Sequence, residues 1–265
     1  MPKPGSVART GISALLVAIL LAGCAPLPLA PDPTPTEEEE ESFDVDRRFT
    51  VGDSAELQPT PTADAAAVWD LFVLIASPEF VAEEVVAFEV GDDPASDYSA
   101  YVMRHETKQQ RWVLAANLAY ATADDELAAT LIHEFAHMLS LGPDQVTRDA
   151  MCATIWVNGG CMSPRSHILA FQHEFWDGYG SAAPLPDDDD LDAAWEFYEA
   201  HEDDFVTDYA AVNVSEDFAE SFTAFVLEER PEAEPEDLWN EKIDFFWTIP
   251  EYARIRDRIR ADLEL

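Results

Sequence analysis

Near the middle of the chain two histidines stand four residues apart, in His133-Glu134-Phe135-Ala136-His137. On a helix, side chains at that spacing leave one face, so both imidazoles can reach a single metal ion about 2.0–2.1 Å from each nitrogen. Glu134 is then turned by roughly 100° from His133 and sits beside the metal without binding it. A carboxylate so placed can take a proton from water that the metal activates, because zinc lowers the pKa of such a water towards about 7 and polarises a carbonyl. The competing reading is bland: three polar groups satisfying one another near a core. Leu127, Leu131, Ile132, Phe135, Met138 and Leu139 give the segment an apolar surround, as a mostly buried element requires.

Catalytic zinc usually has three protein ligands and one open position. The metzincin solution is excluded by inspection, since Ser140 stands where that pattern has glycine and Pro143 where it has the third histidine. A carboxylate on a separate helix is the other common solution. The best run is Tyr209 to Phe222, in which Glu216 and Glu220 lie one turn apart on one face. One of them can bind the metal while the other holds a ligand histidine through its second ring nitrogen. In so acidic a chain, two acids on an ordinary amphipathic helix are the alternative.

Together the two segments, His133 to His137 and Tyr209 to Phe222, resemble the active site of the lethal-factor-like gluzincins and of a group of bacterial zinc-binding metallopeptidase lipoproteins. The resemblance implies a zincin-like fold with Zn²⁺ as cofactor and Glu216 as third ligand beside His133 and His137. It also implies that Glu220 holds a ligand histidine and that Tyr209 points its hydroxyl at the developing oxyanion. Gly160-Cys161 followed by Ser166 is similar to the bacterial group as well. The stretch between His137 and Glu216 is longer than in the toxin, so the toxin's substrate range does not carry over. The expected activity is hydrolysis of a peptide or protein substrate, with Glu134 as general base. A non-catalytic binding or adhesion protein on the same fold, and a hydrolase of cell-wall amide bonds, are the alternatives.

A long helix must carry the histidine pair: Thr122 followed by Asp125 reads as a capping box and Gly142-Pro143 as a stop. Before it, an amphipathic helix is expected from Ala63 to about Ile75. Strands are expected at Val85–Val90, Tyr101–Arg104 and Arg111–Ala115, punctuated as an antiparallel sheet. After it, the chain reads as helical to its end, with helices near 164–177, 189–201, 215–229, 236–247 and 250–263. A small antiparallel sheet followed by helices argues an α+β domain over residues 63–265.

The N-terminus reads as a lipoprotein signal peptide over residues 1–23. Lys3 and Arg9 precede the apolar run Ile12 to Leu21, which ends in Leu21-Ala22-Gly23-Cys24 and resembles a lipobox with Cys24 as the lipidated residue. Residues 24–62, rich in Pro, Thr and acid, read as a disordered tether. The expected location is thus the extracytoplasmic face of the cell membrane, with the membrane as partner through the Cys24 lipid. Export would let Cys152 and Cys161 form a structural disulfide, with two buried thiols or a metal site as alternatives. A net charge of -39 excludes nucleic acid as a partner and reads as a solvated surface that keeps the protein soluble and monomeric, with steering of cationic peptides or recruitment of calcium as the alternative.

Three further stretches imitate sites. His173-Glu174-Phe175-Trp176-Asp177 and His201-Glu202 lack a second histidine at metal spacing and read as helix surface. Asp187 to Asp190 lacks the alternating oxygen ligands and central glycine of a calcium loop. Trp239, Phe245, Phe246 and Trp247 are most simply core.

Overall fold

The computed structural model describes residues 43–108, 110–121, 125–148, 151–157, 160–188, 190–230 and 237–265. The signal-like segment, Cys24 and the Thr122 of the expected capping box lie outside the described residues. Within the stretch expected to be a disordered tether, Phe49 alternates with polar neighbours, and the chain uses that alternation. Arg47–Val51 forms strand β1 and Leu57–Gln58 strand β2. Phe49 is buried and stacks on Phe88 with ring centroids 6.0 Å apart, while Phe43 is buried beside Tyr101. Residues from Phe43 to Thr62 thus pack with the domain, ahead of its expected start at residue 63. A strand that joins an existing sheet has its backbone satisfied by its neighbour and needs few inward side chains, so poor composition does not prevent it.

Thr62 caps helix α1 (Ala63–Ala76) by accepting a hydrogen bond from the Ala65 amide, and Val68, Phe72 and Ile75 form its buried stripe. A short helix α2 (Pro78–Glu84) opens on proline. Strands β3 (Val85–Gly91), β4 (Ala100–Arg104) and β5 (Trp112–Asn117) complete a five-stranded sheet in the order β2-β1-β3-β5-β4. The expected antiparallel pairing holds for β4 with β5, but β3 and β5 run parallel, so the sheet is mixed. From β3 the chain crosses to the edge, lays down β4, and returns through β5 between them. Strands β3 and β5 are buried along their whole length, which accounts for their nearly unbroken apolar runs. Strand β4 is left with a neighbour on one side only.

Helix α3 (Asp125–Ser140) carries the histidine pair. Next come three short strands, β6 (Val146–Thr147), β7 (Trp156–Val157) and β8 (Gly160–Met162), which pair antiparallel in the order β6-β8-β7. They correct the expectation of an all-helical remainder; strands this short carry no readable period. A Cβ on Gly160 would lie 2.5 Å from the Thr147 carbonyl oxygen, so glycine is needed where β8 crosses β6. Cys152 and Cys161 form the expected disulfide, which closes a short loop worth about 2–3 kcal/mol in the chain-entropy picture.

The remaining helices fall close to expectation: α4 (His167–Phe171), widening into a π turn over Gln172–Trp176, then α5 (Leu191–Ala200), α6 (Val214–Leu227), α7 (Leu238–Trp247) and α8 (Pro250–Asp262). Phe171, Phe218, Phe222, Phe246 and Tyr252 meet mostly edge-to-face and join α4, α6, α7 and α8 into one core. The class is α+β, as expected. Helix α3 packs against α6, α1 and the edge strand β4, and this packing brings the chemistry-bearing residues together.

Candidate metal centre

One face of α3 is apolar and fully buried through Leu131, Ile132, Phe135 and Ala136, which fixes the helix rotation. Its neighbouring face then presents His133, Glu134 and His137, only 9%, 6% and 9% exposed. The two imidazole rings are nearly perpendicular with centroids 4.7 Å apart. Opposite them, Asn213 caps α6 by accepting hydrogen bonds from the Ser215 amide at 2.8 Å and the Glu216 amide at 3.1 Å. Its own amide donates to the Asp188 carbonyl, which ties the cap to the preceding loop. Glu216 therefore leaves the first turn of a fixed helix, where a carboxylate also suits the helix dipole.

Three atoms converge. His133 Nε2 lies 3.0 Å from His137 Nε2, and Glu216 Oε2 lies 3.1 Å from each. His133 Nδ1 is 2.6 Å from Glu220 Oε1, and Glu220 Oε2 accepts from the Thr207 hydroxyl at 2.7 Å. With its proton held on Nδ1 by that carboxylate, His133 turns the Nε2 lone pair towards His137 and Glu216. A single proton can bridge only two of three mutually facing acceptors, whereas a divalent cation meets all three. Ligands about 2.0–2.1 Å from a tetrahedral ion lie about 3.3–3.4 Å from one another, so a small opening of this triangle suffices. His133, His137 and Glu216 can thus hold a metal ion between them.

The charge balance of the group points the same way. Burial alone would pull the His133 imidazole down, yet its hydrogen bonds to Glu216 and Glu220 and the charges of Glu216 and Glu134 raise its pKa well above the ordinary value. Burial would likewise raise the Glu216 carboxyl, but the charge of His137 and the hydrogen bonds of both histidines hold it well below the usual carboxylate range. Glu220 is lowered too, its burial outweighed by His133 and Thr207. The pocket is built to stabilise positive charge at its centre.

Glu134 lies beside this group and takes a hydrogen bond from the Val102 amide on β4. Desolvation raises its pKa; His133 and His137 counteract that, and Glu216 adds to it. Tyr209 stands on a short 3₁₀ turn ahead of α6, with its ring centroid 5.9 Å from that of His133. Burial, then the charges of Glu216 and Glu134, push its phenol up, so it keeps its proton. A cavity of about 820 Å³ opens at Glu134 and Tyr209 on the His133 side, and a smaller one of about 340 Å³ on the His137 side. Residues of β4 line both, so the two cavities lie along the edge strand, one at His133 and the other at His137 and Glu216.

The structure brings together every site residue expected around the histidine pair: His133, Glu134, His137, Tyr209, Glu216 and Glu220. The imitating stretches stay apart from it. His173 pairs with Asp177 at 2.7 Å on an exposed surface, and His201 with Asp204 at 3.4 Å. Phe245 and Phe246 are buried, as expected of core. Two contributors escape sequence reasoning, Thr207 and the Val102 amide, because neither a lone threonine nor a backbone group carries a spacing signal. Asn213 was within reach of the capping rule, standing just ahead of the acid-bearing helix. No protein-family model matches the chain, and no curated protein or solved structure matches it significantly.

Proposed function

We propose that the protein is a zinc-dependent peptidase of zincin-like fold, held on the outer face of the cell membrane by a lipid on Cys24. One observation carries the enzymatic part: two imidazoles and a carboxylate from separate helices meet within hydrogen-bonding distance, with a second buried carboxylate beside them in an open groove. Two nitrogens and one oxygen are a donor set that suits zinc and leaves a coordination position free. When bound there, zinc supplies a Lewis acid for the scissile carbonyl and the attacking water.

The chain's own residues do the rest. Glu134 takes a proton from the attacking water and passes it to the departing amine. Tyr209 donates its hydroxyl to the carbonyl oxygen as that atom gains charge. Glu220, itself held by Thr207, keeps the His133 ring in its working orientation and tautomer. Strand β4 stands last in the sheet and borders both cavities, which suits an extended peptide laid beside it. The disulfide fits an oxidising compartment, as export requires.

Elemental analysis of the purified mature chain, followed by a mixed-peptide cleavage assay, tests the reading. One zinc per chain is expected, with cleavage abolished by a chelator and restored by zinc. Zinc without chelator-sensitive cleavage would favour the non-catalytic binder, and turnover of muropeptides but not of protein would select the cell-wall amide hydrolase. For the anchor, Cys24→Ser is expected to move the protein from the membrane fraction to the soluble fraction. Unchanged fractionation would exclude the lipid at that residue.

A further inference from the structure

The smaller cavity beside the metal group carries a charge pattern that the catalytic reading does not use. His137 and Glu216 form one of its walls, and Trp112, Arg104 and Arg148 are among the residues on the others. Arg104 is held in place. Its guanidinium lies over the Trp112 ring, 3.8 Å from the centroid, and it donates to the carbonyls of Leu141 and Gln110. Those bonds fix the group without neutralising it, because a carbonyl brings no charge. Among the described residues no carboxylate lies within ion-pair distance of Arg104 or of the exposed Arg148. Glu84 and Asp144 act on Arg104 only as weaker, longer-range charges, and burial followed by the like charge of Arg148 pulls its pKa down to about 10.

Two cations set together with no ion-paired acid among the described residues are unexpected in a chain with 54 acidic and 15 basic residues. Among the described residues that line this recess the one acid is Glu216, and the two histidines engage it. The opposite end of the groove is different. There the cavity is lined by Asp97 and Glu228 with apolar Ala224 and Leu227. A substrate lying along β4 thus meets positive charge on the His137 side and negative charge on the His133 side, an arrangement that selects both its composition and its direction.

We propose that this recess is a subsite for a carboxylate of the substrate, with Arg104 and Arg148 as the groups that recognise it. Arg104, stacked and pre-oriented, supplies the planar fork that suits a carboxylate, and Arg148 supplies a second charge from the rim. The carboxylate can belong to an Asp or Glu side chain or to the end of the peptide. The inference rests on the peptidase reading for the substrate's class, and on the recess alone for its charge.

The test uses fluorogenic peptides that differ at one position at a time, carrying Glu, Gln or Lys and ending in a free acid or an amide. The wild-type protein is expected to favour Glu over Gln at one position by about tenfold or more in kcat/KM, if a side chain is the source. If the chain end is the source, the free acid gains that advantage over the amide. Arg148→Gln should lose most of the preference, and Arg148→Glu should turn it towards Lys. A purely structural Arg104, bracing β4 against the end of α3, predicts no such reversal from a change at Arg148. The same peptides, labelled and titrated against Glu134→Gln protein by fluorescence anisotropy, separate the two claims. Charge-selective binding without turnover by the wild type would sink the peptidase reading and keep the subsite. Turnover or binding indifferent to charge, or a preference unchanged in both Arg148 variants, would overturn the subsite.

Discussion

Replacing Glu134 with glutamine is expected to lower peptide hydrolysis by about 10²–10⁴-fold, the contribution of a positioned general base, while the protein keeps its full complement of metal. Glutamine has nearly the same shape and can still accept the Val102 amide hydrogen, so the contact with β4 survives. What it lacks is the ability to take a proton. Burial raises the Glu134 carboxyl above its ordinary pKa, and His133 and His137 limit that rise. A base with a raised pKa holds an abstracted proton more firmly than an exposed glutamate would, which suits its task. Steady-state kinetics and elemental analysis on one preparation decide the matter. Retained hydrolysis would remove Glu134 as the base, and loss of metal would make it a ligand instead.

The second large effect concerns stability. Lys242→Met is expected to cost about 3–5 kcal/mol in the free energy of unfolding, measured by urea denaturation, because it strands a charge inside the protein. Asp217 and Lys242 are both completely buried, with Oδ2 and Nζ 2.7 Å apart. Asp217 also accepts from the Trp176 indole at 2.7 Å and the Ser221 hydroxyl at 3.2 Å, and the ammonium lies 3.8 Å from the Phe205 ring centroid. Burial pushes the Asp217 carboxyl up and the Lys242 ammonium down, and their mutual attraction offsets this only in part. The pair is therefore no great source of stability in itself, yet either half alone is worse than both. Adding Asp217→Asn to Lys242→Met should recover much of the loss, since the amide oxygen still serves Trp176. A loss below about 1 kcal/mol in the single variant, or simple additivity in the double, would contradict this account. Asp217 follows Glu216 directly, so the same network fixes the turn of α6 that presents Glu216 to the histidine pair.

Some structural signals in this chain act within a few residues and others only across the fold. The histidine pair, Glu134 between them, and the one-turn spacing of Glu216 and Glu220 are properties of single helices. Helical geometry translates such spacing into a shared face whatever surrounds it, so these residues were legible from the chain alone. The end of α3 was legible for the same reason, through Gly142-Pro143, while the caps Thr62 and Asn213 emerged with the structure.

Other features depended on partners distant in the chain. The sequence shows Phe43 and Phe49 as isolated aromatics in a polar stretch, and only pairing with the edge of β3 makes β1 a strand. The parallel pairing of β3 with β5 ran against the antiparallel expectation, because nearly unbroken apolar runs signal burial on both faces and name neither the neighbour nor its direction. The sequence by itself determined which side chains could bind a cation and which could move a proton. Tertiary packing alone decided that α3 and α6 meet with those atoms facing, that β4 borders them, and that Arg104 and Arg148 share a recess beside them. Helical spacing is set within a few residues by backbone hydrogen bonds, whereas the approach of two helices is set by side-chain packing summed over the whole core.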